Sequence, residues 1–299
     1  MVKTAKPSIA GLLVGLLAMT AVVHAQFGPK PPPPNDPNDK AAMAGSGPVP
    51  RMPDGKPDLS GMWNGLPDGR DPGGDNTPNA DNPGLAVLPA PKGDAGVAET
   101  DGRLRSRTSD QNRPQYKPQY WDKVNDLDLH SFTTDNAFGC GPPGVPRLGA
   151  PIKIVQTPKE IVLFYSLLLG SNWFRIIPTT GRDHNPDDLL VGSYNGDSIG
   201  RWDGDTLVID SLGFNDVTWL DRFGYFHSYD LHVVERLTRT ANNRLHYEVT
   251  SEDPTVLSKP WKRPLRVLNL NTDPSATVVE LPPCVEHDAA GGHIINNLR

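Results

Sequence analysis

The sequence predicts an all-β fold, an antiparallel barrel with a β-sandwich as the alternative, after a Pro/Gly-rich disordered N-terminal region. Three observations carry this. From about Ile152 onward the chain is a succession of short runs of strand-formers separated by turn residues, with no helical periodicity. An Asp-Gly pair, Asp203-Gly204, joins two such runs as a tight hairpin would. Pro and Gly are concentrated before residue 118, where too little apolar surface exists to offset the entropy of ordering.

The chain divides accordingly. Residues 1–25 read as a secretory signal, with Lys3 and Lys6 as its basic start, Ile9 to Val23 as its apolar run and Val23-His24-Ala25 as its cleavage site. Removing them leaves 27 basic against 35 acidic residues, a net charge of −8. That sign argues against nucleic acid as a partner, because phosphate binding needs a basic face. No later run approaches the length of a membrane span. The expectation is a soluble periplasmic or secreted protein whose oligomeric state the sequence leaves open.

Residues 26–57, with Pro31 to Pro34 in a row, form a Pro-rich tether, and residues 58–118 are mostly irregular with one short strand at Asp58-Leu59-Ser60-Gly61-Met62-Trp63. Residues 119–299 form the β-barrel domain. Its expected strands are Ile152 to Gln156, Ile161 to Tyr165, Asn172 to Ile177, Leu190 to Trp202, Thr206 to Asp210, Asp230 to Thr240, Leu245 to Ser251, Trp261 to Leu270 and Thr277 to Leu281. A meandering order is preferred. The two cysteines, Cys140 and Cys284, are an even number in an oxidising compartment and are expected to form a disulfide.

Register sharpens the picture. A two-residue turn at Asp203-Gly204 sets Trp202 against Asp205 and Gly200 against Leu207. It puts Trp202, Leu207 and Ile209 on one face, and Asp197 opposite Asp210 on the other, near Arg201. Two like charges there need a cation or a proton between them. In the next hairpin, a three-residue loop Asn242-Asn243-Arg244 aligns Leu237 with Val249 and places Glu235 on the buried face. A carboxylate there requires a partner, and Arg175, inward by the same alternation as Trp173 and Ile177, is the candidate.

In a strict meander the connections 178–189, 211–228 and 252–260 share one mouth, where binding residues usually gather. The aromatic side chains Trp219, Phe223 and Tyr225, with Arg175, are the expected binders of a small apolar or aromatic molecule. The enzymatic alternative is a hydrolase or isomerase using His184, His227 and Glu235, and a divalent metal on His184, His227 and Asp197 is the candidate cofactor. A second alternative treats the mouth aromatics as a protein-contact patch.

Gly61-Met62-Trp63 resembles the Gly-x-Trp that opens the first strand of lipocalins, where the Trp closes one end of the barrel. A wider resemblance covers roughly residues 139 to 287 and rests on Cys140-Gly141-Pro142-Pro143-Gly144, Gly181-Arg182-Asp183-His184, the Ser198 to Asp210 hairpin, Thr218-Trp219-Leu220-Asp221, Glu235-Arg236 and Cys284-Val285-Glu286. By these the chain resembles a family of exported bacterial proteins with a S-x-G-x-W-x-G-D-T-L-V-x-D motif. The resemblance implies export but no reaction. It also implies that the position of Asp197 often carries His or Tyr, so a metal set here would read His, Asp, His.

Overall fold

The computed structural model describes residues 45–64, 112–167, 171–280, 286–287 and 293–294. Ten strands form one antiparallel, nearly closed, barrel-shaped sheet: β1 (Gly61–Asn64), β2 (Lys153–Gln156), β3 (Glu160–Leu167), β4 (Ser171–Pro178), β5 (Asp197–Asp203), β6 (Thr206–Leu212), β7 (His232–Ala241), β8 (Arg244–Glu252), β9 (Trp261–Lys262) and β10 (Arg266–Leu270). Two further strands, β11 (Glu286–His287) and β12 (His293–Ile294), pair with each other. Among the described residues the helices are few: a 3-10 turn at Pro118–Tyr120, α1 (Trp121–Leu129), α2 (Ser131–Thr134) and α3 (Pro186–Val191). None is long and apolar enough to cross a membrane.

The order around the sheet is β4-β3-β2-β1-β10-β8-β7-β6-β5, with β9 beside β8. This is not the simple meander expected. The four residues of β1 enter between β2 and β10, pairing Gly61 with Ile154 on one side and Trp63 with Leu270 on the other. Trp63 is buried, donates from its indole nitrogen to Leu59 O at 2.9 Å and lies under the Arg239 guanidinium. Gly61 holds φ +144°, and a Cβ there would lie 2.6 Å from Leu270 Cδ1, so glycine serves both backbone and packing.

Every neighbour along this nine-strand path is antiparallel. The two end strands, β4 and β5, therefore run in the same direction, and they meet through side chains: Arg175 bonds Ser198, while a Cβ on Gly200 would lie 3.0 Å from both Ile177 and Thr179. Because β4 ends where β5 also ends, residues 179–196 must travel back along the barrel before β5 can begin. That return includes α3 in place of the first part of the strand expected from Leu190. Local chemistry explains the helix: Asn185 accepts from Asp187 N at the N-cap, Pro186 supplies a fixed φ, Asp187 and Asp188 sit in the first turn, and Gly192 at φ +73° ends it.

Both hairpin registers differ from expectation while their faces do not. Gly204-Asp205, not Asp203-Gly204, forms the first turn, pairing Asp203 with Thr206 and Trp202 with Leu207. Gly204, at φ +58°, occupies the first central position, as a type II′ turn requires. Asp197 consequently faces Leu212, and Asp210 faces Ile199, so the two carboxylates are diagonal neighbours on the outer face. In the second hairpin the turn is Asn242-Asn243, and an irregularity between Arg239 and Ala241 restores the apolar face by pairing Leu237 with Tyr247. The run expected from Trp261 to Leu270 breaks into β9 and β10 around Pro264, which has no N–H to give a ladder. Residues 277–280 of the last expected strand are not in a strand, and Leu281 lies outside the described residues.

Replacing Trp63 by Ala should lower stability by about 3–5 kcal/mol, because β1 joins the β2-β3-β4 hairpins to the rest of the sheet. Urea unfolding of the single variant, read by circular dichroism, measures it.

Candidate functional site

Chemistry-bearing side chains gather in three places. The first is the barrel interior. Strand alternation sends Arg175 of β4, Ser198 of β5, Ser211 of β6, Glu235 of β7 and Tyr247 of β8 inward, where all are buried. Arg175 Nη1 donates to Glu235 Oε2 at 2.7 Å and to the Tyr165 hydroxyl at 3.1 Å. Its Nη2 donates to Ser198 Oγ at 2.9 Å and Ser211 Oγ at 3.2 Å. Tyr247 donates to the other carboxylate oxygen of Glu235 at 3.0 Å.

Desolvation would lower the Arg175 pKa, but the charge of Glu235 and the hydrogen bonds Arg175 makes raise it on balance. Burial, then the nearby Glu235 charge, holds the Tyr247 phenol well above its usual value. Tyr165 is also raised, chiefly by burial and against the pull of Arg175. The cluster is a neutral ion pair whose phenols stay protonated.

The inward partnership of Glu235 and Arg175 follows from alternation in the sequence. The hydroxyl groups around it are less legible, since serine and tyrosine carry no pattern of their own. Ser198, Ser211, Val233 and Ser251 lie side by side across β5 to β8. Short side chains in one row admit the long Arg175, which reaches across from β4 to β5 and β6.

The second place is the outer wall. As the return segment 179–196 passes over β5 and β6, Asp197 accepts both guanidinium nitrogens of Arg182 at 3.0 and 2.5 Å, His184 Nδ1 at 3.0 Å and Asn185 N at 3.0 Å. The Arg182 hydrogen bond leads the causes that lower Asp197 to about 2. His184 Nε2 lies 3.4 Å from Asp210, which also meets His232 at 2.9 Å and Arg201 at 3.2 Å. Desolvation opposes ionisation of Asp210, but His232 and Arg201 outweigh it and lower its pKa. His184 thus stands between the two carboxylates, with Arg182 and Arg201 beyond them. His232, which shows no constellation in the sequence, joins here because β7 pairs with β6.

The third place is the connection from β6 to β7. His227 Nδ1 meets Ser228 O at 2.9 Å, and since a carbonyl only accepts, Nδ1 carries the proton. Nε2 then accepts from Thr218 Oγ1 at 2.8 Å. Gly144 roofs this contact: a Cβ there would lie 2.6 Å from Thr218 Oγ1. Asp253 ties the neighbouring Ser228 through its N–H and hydroxyl at 2.6 and 2.9 Å. Burial lowers the His227 pKa, against the opposing bond to Ser228 and the charge of Asp253.

The expected catalytic set is therefore not one site. Glu235 faces inward beside Ile209, while Asp210, with His184, is on the opposite face of the same wall. His227 is enclosed in its own loop. The expected metal set also separates, because His184 and Asp197 touch but His227 does not join them. Among the described residues no group of three His, Cys, Asp or Glu is arranged to hold a metal ion.

The expected aromatic mouth is a packed cap. Trp219, Tyr225 and Phe226 are buried, and Phe223 is half-buried against Tyr225 at φ +72°. Residues 112–129 close over them: Trp261 Nε1 donates to Asn112 O at 2.7 Å, Tyr116 hydroxyl to Phe226 O at 2.5 Å, and the backbone of Gln115 and Lys117 bonds that of Ser258 and Val256. Gly224 lies so near α1 that a Cβ would meet Val124 O at 2.2 Å. The contact-patch alternative loses these aromatics too. Exposed apolar side chains lie instead on the outside of β4, at Phe174 and Ile176, and on α3, at Leu190 and Val191. Cys284, one half of the expected disulfide, lies outside the described residues.

Comparison with known proteins finds no matching family model, no matching curated protein and no matching solved structure.

Two outcomes follow. Removing one partner of the Arg175–Glu235 pair, as in Glu235→Leu, should cost about 3–5 kcal/mol, whereas Arg175→Met with Glu235→Leu should recover most of it, because an uncompensated buried charge is the larger penalty. A double-mutant cycle in urea measures this. For His227 the folded pKa lies below the ordinary 6.5, so its contribution to stability is complete above that value and is lost as pH falls through the depressed one. The thermal unfolding midpoint between pH 7.5 and pH 5, roughly two and a half units spanning the usual histidine pKa, should decline less steeply in His227→Gln than in the native protein.

Proposed function

We propose that the chain is an exported barrel that binds a small molecule in its interior, beside the Arg175–Glu235 cluster. The observation that carries this reading is a fully buried ion pair with four hydroxyl partners in a largely apolar barrel. Such a pair is a weak source of stability, since apolar side chains of similar volume usually do as well. Polar groups fixed among apolar walls are what orient a bound molecule.

The binding reading moves inward from the mouth because the aromatics there pack against residues 112–129. The acid–base alternative has lost its geometry, with His184 and Glu235 on opposite faces of the wall. Export rests on residues 1–25, and a bridge between Cys140 and Cys284 would suit that compartment. Membership in the exported bacterial family rests on the motifs of the hairpin and of the Thr218 to Asp221 loop.

Protein purified after export by its own host, without refolding, should release a small organic molecule on denaturation, identified by mass spectrometry at a molar ratio near one. Recovery of no such molecule from folded protein would end the binding reading.

A further inference from the structure

Two donors inside the barrel are buried and make no hydrogen bond: Arg175 Nε and Ser251 Oγ. Both residues are more than nine-tenths buried. Every other nitrogen of the Arg175 guanidinium is engaged, by Glu235, Tyr165, Ser198 and Ser211. Ser251 lies in the same cross-strand row as Ser198 and Ser211, separated from Ser211 by Val233. A buried donor left unmade costs about 1–3 kcal/mol, so each of the two marks a point in the interior where an acceptor belongs.

We propose that these two donors are the polar contacts of the bound molecule and that they select a neutral hydrogen-bond acceptor, a ketone, ester or amide carbonyl, on a small apolar body. This rests on the binding reading above and names its ligand class. The charge balance decides against an ion. Glu235 neutralises Arg175, so a carboxylate brought into the row would be desolvated with no counter-charge, and an ammonium would face the donors of Arg175 with its own N–H groups. The body of the molecule would lie against Val233 of the same row and Ile177, Ile209 and Val249 beside it, all of which are buried.

The β4/β5 seam supplies a route of entry. Elsewhere along the path neighbouring strands are joined by backbone ladders, whereas β4 and β5 meet through side chains, so they can part without breaking a ladder. Arg175 spans that seam and would be the side chain a ligand passes.

The experiment titrates the folded full chain with acetophenone, benzoate and ethylbenzene, following intrinsic tryptophan fluorescence, for the native protein and Ser251→Ala. Acetophenone should bind, with benzoate at least about tenfold weaker and ethylbenzene about fivefold weaker, as expected for loss of one or two hydrogen bonds. Ser251→Ala should weaken acetophenone about fivefold while leaving the free protein as stable or more so, because it removes an unpaired buried hydroxyl. Ser211→Ala, which removes a bonded hydroxyl, should lower stability instead. Benzoate binding as tightly as acetophenone, or acetophenone affinity unchanged in Ser251→Ala, overturns the inference. If none of the three binds, the molecule released from exported protein decides. A charged ligand overturns the ligand class alone, a neutral carbonyl compound upholds it, and no ligand at all removes both readings.

Discussion

Closing a sheet of antiparallel neighbours on itself is a matter of parity, and nine strands along one path cannot do it with antiparallel ladders alone. The end strands β4 and β5 run the same way, and Arg175 does across that seam what paired amides do elsewhere. Its guanidinium bonds β5 and β6 through Ser198 and Ser211, and β7 through Glu235. Tyr165 and Tyr247 satisfy lone pairs and donors that would otherwise be orphaned in the apolar interior. A planar fork with five donors suits this task; an ammonium would reach fewer partners.

The same parity sends chemistry to two sides of one wall. A chain that leaves β4 at one end and must start β5 at the other has to travel the length of the barrel. In doing so it carries Arg182 and His184 across the outer face to Asp197 and Asp210. The carboxylates, which would repel one another, are thereby separated by an imidazole and flanked by two guanidinium groups. This arrangement anchors the return segment. It also removes His184 from the interior, where Glu235 lies.

Segments distant in sequence finish what the β-rich half begins. Between Pro- and Gly-rich stretches, β1 inserts four residues that bind both halves of the sheet, with Trp63 sealed under Arg239. Residues 112–129 cover the aromatics of the β6–β7 connection. An aromatic loop that reads as an open mouth in isolation becomes part of the core once Tyr116 and α1 are laid on it.

The sequence by itself determined which residues form most strands and which face each one shows. Glu235 and Arg175 point inward together for that reason, and Trp202, Leu207 and Ile209 share a face although the turn was placed one residue early. Moving the turn by one residue shifts the pairing by two, an even step that preserves side-chain alternation. The six-residue α3, too short to show a period, replaced the start of the strand expected from Leu190; its Asn cap, Pro and terminal Gly are the local signal that expectation passed over. Only the tertiary structure decided the order of strands, the insertion of β1, the meeting of His232 with Asp210 and the burial of Trp219 and Tyr225. Those depend on contacts between segments tens to hundreds of residues apart, and they are selected by the burial and closure of the whole sheet, about which a local pattern of side chains carries no information.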